Sequence, residues 1–73
     1  MRTLSELKPG EKSIIADVSS DSKIKRKLVE MGITKGEEVE MIRVAPLGDP
    51  IAVEIRGYKL TIRKNDAKHI KIK

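Results

Sequence analysis

Ile51-Ala52-Val53-Glu54-Ile55-Arg56-Gly57-Tyr58-Lys59-Leu60-Thr61-Ile62 is the stretch whose reading decides the fold. Ile51, Val53 and Ile55 alternate with Ala52, Glu54 and Arg56, the two-residue period of a strand buried on one face. Leu60 and Ile62 resume the alternation after a break that contains glycine. Gly57-Tyr58 joins the two runs, and glycine at the first central position of a two-residue loop predicts a type II′ turn. Ile51 to Ile55 and Leu60 to Ile62 are therefore expected to be antiparallel neighbours.

Upstream, Val39 to Val44 reads as a third strand, but its pattern slips. Val39 and Met41 face one way, Ile42 and Val44 the other, which predicts a bulge or a sharp bend. Two similar turns, Lys8-Pro9-Gly10-Glu11 and Thr34-Lys35-Gly36-Glu37, each deliver the chain into a strand. The first of those strands is Lys12 to Val18, carrying Ile14, Ile15 and Val18. It stops at the polar cluster Ser19-Ser20-Asp21-Ser22, where Ser20 or Asp21 can cap a helix. Ile24, Leu28 and Met31 then recur on one helical face, with Val29 in position to widen the stripe. Gly32 reads as the left-handed terminator and Ile33 as the apolar contact of a Schellman motif. At the far end, Asn65-Asp66-Ala67 is expected to form a helical turn, and His69-Ile70-Lys71-Ile72-Lys73 a last strand with Ile70 and Ile72 inward.

Seventy-three residues read as one domain, 1–73, with a thin core. There is no cysteine and only one histidine, so neither a disulfide nor a structural metal is expected to staple it. The fold must rest on aliphatic packing. Five short strands cover few apolar residues as an open sheet, whereas curling gives them a shared interior. The expected class is mainly β: a small barrel of about five strands with one α-helix packed at an end, Ile24, Leu28 and Met31 inward and Lys23, Lys27 and Glu30 in water.

Several functions are disfavoured by the residues present. No apolar run suits a signal peptide or a membrane span, so a cytoplasmic location is expected. One histidine and no cysteine provide no base and nucleophile pair, and neither G-x-x-x-x-G-K-S/T nor G-x-G-x-x-G occurs, so no catalytic residue is assigned. Glu37, Glu38 and Glu40 read as solvated surface, and His69 with Asp66 makes too small a donor set, so no metal ligand and no cofactor is expected. A single tyrosine without tryptophan or phenylalanine argues against a groove for proline-rich peptides and against stacking on single-stranded nucleic acid. The net charge of +5, spread along the chain, leaves backbone binding to RNA or the ribosome as an alternative.

Four ordered blocks carry a more specific signal: Leu4 to Glu11 (LSELKPGE), Leu28 to Gly36 (LVEMGITKG), Ala45 to Ile51 (APLGDPI) and Leu60 to Ala67 (LTIRKNDA). Together they resemble the FeoA family, and the resemblance spans nearly the whole chain. It implies an SH3-like barrel acting as a cytoplasmic accessory of FeoB, the membrane transporter of ferrous iron with a cytoplasmic GTP-binding domain. It places the chain at the inner membrane, if at all, only through that partner. Related domains in iron-dependent repressors suggest a stand-alone regulatory domain as a further alternative, and no DNA contact is expected without a DNA-binding module.

Two features are candidates for the partner surface. In the loop Ala45 to Pro50, Pro46, Leu47 and Asp49 form a restricted turn in which Leu47 either caps one end of the barrel or is held out to dock. On the helix, Lys23, Arg26 and Lys27 form a basic face suited to steering toward an acidic partner.

Overall fold

The computed structural model describes residues 2–19 and 21–73. β3 (Ile51–Ile55) and β4 (Tyr58–Ile62) form the expected antiparallel hairpin, but its loop lies one residue earlier than the sequence suggested. Ile55 pairs with Tyr58, so the loop is Arg56-Gly57, with φ of 56° and 84°. Two positive φ angles define a type I′ turn, whose twist matches that of the flanking strands. Glycine is needed at the second position here, and Arg56 tolerates the left-handed first one. The shift sets Leu60 opposite Val53 and Ile62 opposite Ile51.

β2 (Glu38–Val44) pairs with β3, and its register shifts between Met41 and Arg43, where the alternation slipped. Val39 and Met41 are buried, whereas Val44 on the far side of the shift is exposed. β1 (Lys12–Val18) pairs through Lys12, Ser13 and Ile14 with β2 and through Ile15, Asp17 and Val18 with β5 (Ile70–Ile72). A second register shift between Ile15 and Asp17 brings both Ile15 and Val18 inward despite their odd spacing.

All pairings are antiparallel and the order is β4-β3-β2-β1-β5. Inward residues of all five strands belong to one core cluster, so the sheet bends round a shared interior. Among the described residues its hydrogen-bonded ladder nevertheless ends at β4 and β5 and does not close. Among the described residues, no buried side chain is polar or charged, and the core is aliphatic apart from Met41.

α1 (Ser22–Glu30) covers one opening of this curled sheet. Asp21 caps it, its Oδ1 accepting from the backbone N–H groups of Lys23 at 3.0 Å and Ile24 at 3.2 Å. The alternative cap, Ser20, lies outside the described residues. At the other end the Ile33 N–H donates to Leu28 O at 3.0 Å and the Gly32 N–H to Val29 O at 2.9 Å, the two bonds of a Schellman motif, with Gly32 at φ 92°. Leu28 and Ile33 are fully buried, Ile24 and Met31 pack at the rim, and Val29, 43% exposed, does not widen the stripe. Asp21→Ala removes both cap bonds and is expected to cost about 1 kcal/mol, read as a lower urea midpoint with an unchanged slope.

The first residues contribute more than the alternation indicated. A 3-10 turn at Leu4–Glu6 buries Leu4, and Leu7 follows it into the core. The Ile72 N–H donates to Arg2 O at 2.9 Å and Thr3 bridges to Lys71, so this segment covers the outer edge of β5. Glu11 fastens it: its carboxylate accepts from the Lys8 N–H at 2.8 Å and meets the Arg2 guanidinium at 3.3 Å. Those two contacts, the Lys8 bond foremost, hold the Glu11 carboxyl below its ordinary range.

Candidate functional site

The loop between β2 and β3 is closed by its own backbone. The Gly48 N–H donates to Ala45 O at 2.7 Å, making Ala45 to Gly48 a β-turn with Pro46 at its second position and Leu47 at its third. The Ala45 N–H donates to Pro50 O at 3.1 Å, closing the base. Leu47, 95% exposed, is held out at the tip, so it does not cap the barrel. Asp49 acts within the domain, its Oδ1 accepting the Lys64 N–H at 2.9 Å and so tying the loop to α2 (Lys64–Ala67).

α2 also receives the basic helix. Lys27 Nζ donates to Asp66 Oδ2 at 2.9 Å, a pair in which the Asp66 carboxylate is the more covered partner. Lys23 and Arg26 are exposed, and their side chains form no hydrogen bond or ion pair among the described residues. All six candidate residues thus lie on two segments fastened to one four-residue turn. Leu47 supplies an apolar tip, Lys23 and Arg26 supply free positive charge, and Lys27 and Asp49 hold the segments in place. No pattern in the sequence pointed to Lys64 and Asp66 as the ties, because their partners lie 15 and 39 residues away.

Glu37 meets Arg56 at 3.7 Å. Across the sheet, Lys12, Glu40, Glu54 and Lys59 occupy one row, each opposite the next. His69 and Asp66 are joined by a backbone bond of 3.0 Å, and the Asp66 carboxylate is engaged by Lys27. No group of three histidine, cysteine or acidic side chains suited to a metal ion occurs among the described residues. No helix among them is long and apolar enough to cross a membrane.

One concave feature has no counterpart in the sequence pattern. A groove of about 700 Å³ runs between the end of α1 and the hairpin, with Met31, Ile55 and Leu60 among its apolar lining and Glu30, Arg56 and Lys59 also on its walls. Tyr58, 73% exposed, stands beside it.

Comparison with known proteins connects this architecture to iron transport. Residues 2–73 match the family model of the FeoA domain. The chain is 32% identical over 69 residues to the Fe(2+) transport protein A/Fe(2+) transporter FeoB fusion protein of Porphyromonas gingivalis, which covers 94% of this chain but only 8% of that protein. The NMR structure of a FeoA-like protein from Clostridium acetobutylicum is 39% identical, with a TM-score of 0.91 over 97% of this chain and 83% of that one. The crystal structure of Stenotrophomonas maltophilia FeoA complexed with zinc, described as a procaryotic SH3 domain protein, is 31% identical with a TM-score of 0.86 over 100% of this chain and 91% of that one. The mainly β, small SH3-like fold is shared with these relatives, and the chain belongs to the FeoA family, which is associated with ferrous iron transport.

Proposed function

We propose that this chain is a non-enzymatic, cytoplasmic accessory of ferrous iron uptake that binds the cytoplasmic side of a FeoB-type transporter. The observation that carries this reading is the Leu47 tip, an almost fully exposed leucine on a turn fastened at its base and to α2. A leucine in that position loses little entropy on docking, because the backbone that presents it is already ordered. The basic face of α1 supports the same role, since positive charge steers a domain toward an acidic surface before short-range contacts form. The fusion protein of Porphyromonas gingivalis supports the choice of partner, because its name joins Fe(2+) transport protein A to FeoB in one chain.

Association kinetics with the transporter's isolated GTP-binding domain test this proposal. The double variant Lys23→Glu, Arg26→Glu is the suitable probe, because neither side chain has a partner among the described residues, whereas altering Lys27 would also break its pair with Asp66. The expected result is an association rate lowered about tenfold at low ionic strength, with the difference shrinking as salt is raised. Binding that is undetectable for the unaltered chain, or rates indifferent to both charge and salt, would count against it.

A further inference from the structure

We propose that the outer edge of β4 accepts an extended segment of a partner protein in which acidic side chains alternate with apolar ones. The two edges of the sheet differ. At β5 the backbone is met by Arg2 and Thr3, whereas β4 is last in the sheet order at the other side. In a hairpin with a two-residue loop, Ile55 and Tyr58 exchange hydrogen bonds, and so do every second pair beyond them, Val53 with Leu60 and Ile51 with Ile62. Lys59 and Thr61 occupy the intervening positions, so their N–H and C=O groups point away from β3. These four groups form the hydrogen-bonding template of an edge unpaired among the described residues.

The surroundings of that edge specify what it accepts. One face looks into the groove, where Met31 and Leu60 are only partly buried and would be covered by apolar side chains of an added strand. Lys59, which also borders the groove, alternates with Leu60 along the strand and is the last member of the row Lys12, Glu40, Glu54, Lys59, and it has no ion pair among the described residues. An acidic side chain at the next position continues the row. Because successive residues of a strand face opposite ways, one segment meets both demands only if acidic and apolar residues alternate. A second copy of this chain fits poorly, since each carries a net charge of +5.

A peptide alone tests the β4 edge, independently of the transporter reading. Acetyl-Glu-Val-Glu-Val-Glu-Val-Glu-amide is titrated into the isotope-labelled chain and followed by amide spectra and hydrogen exchange. The expected result is saturable binding that slows exchange at Lys59 and Thr61 by at least about tenfold, with no comparable binding of the peptide bearing Lys in place of Glu. Thr61→Pro removes an outward N–H at a position where an edge strand tolerates proline, and it is expected to abolish binding while the remaining spectrum is retained. Should that variant misfold, Lys59→Glu serves instead and is expected to weaken the acidic peptide at least about fivefold. Absence of binding, binding that leaves both amides unprotected, or full binding by a folded Thr61→Pro or Lys59→Glu chain would each overturn the proposal. So would sedimentation showing a peptide-free dimer that Thr61→Pro dissolves, because the edge would then belong to a second copy.

Discussion

Leu28→Ala is expected to be the most damaging single truncation, lowering stability by about 2 to 5 kcal/mol. Leu28 is fully buried at the centre of the stripe by which α1 meets the sheet, with Ile24 and Met31 only partly covered on either side. Removing it leaves a cavity under a helix whose remaining side-chain ties to the body are the partly covered Ile24 and Met31 and the pair of Lys27 with Asp66, worth little at its exposed end. A chain of this length has a total stability on the order of 4 to 11 kcal/mol, taking roughly 0.05 to 0.15 kcal/mol per residue. The loss is therefore comparable with the whole. Thermal unfolding by circular dichroism should show a midpoint lower by more than about 10 °C, or no cooperative transition. Val29→Ala, one position along and mostly in water, is expected to stay within about 0.5 kcal/mol of the parent. Equal effects at the two positions would mean that α1 is not held by this face.

Leu47→Glu should have the opposite profile, with a large effect on association and almost none on stability. The side chain is 95% exposed, so a carboxylate there displaces no core contact. At an interface, the same change puts a charge where an apolar group was to be covered, and truncation of such central residues costs about 2 kcal/mol or more, some thirtyfold in affinity. The check is a pull-down and an equilibrium titration against the transporter's GTP-binding domain, alongside a thermal scan of both chains. Unaltered affinity in a variant that melts like the parent would remove Leu47 from the interface. It would leave the charge experiment on Lys23 and Arg26 as the separate test of the transporter reading.

The strands, the helix and the bulge were legible because each is written in spacing. Alternation marks Ile51 to Ile55, the broken parity of Met41 and Ile42 marks the register shift, and Asp21 and Gly32 bracket α1 with the chemistry of caps. Features requiring distant pairs were not legible. Leu4 and Leu7 enter the core although nothing around them is periodic, because burial there is set by residues 2–7 lying along β5. The loop of the hairpin was misplaced by one residue because glycine suits either positive-φ position, and the choice fell on Arg56 to complete a type I′ turn. At the candidate site, the exposed Leu47 and the basic helix could be named from local composition. That Asp49 and Lys27 are engaged in fastening to α2 could not be, since both partners are distant in sequence.

The cover over β5 has a consequence for how the domain is attached to anything else. Arg2 and Ile72 are hydrogen-bonded to each other, and Lys73 is held by Ile14 and by the Ser13 hydroxyl, so the two ends of the described chain leave the body side by side. A tether joined at either end would start from the flank opposite β4 in the strand order. A linker at either end would therefore start from the same place, beside β5, and would hold the body at a single point.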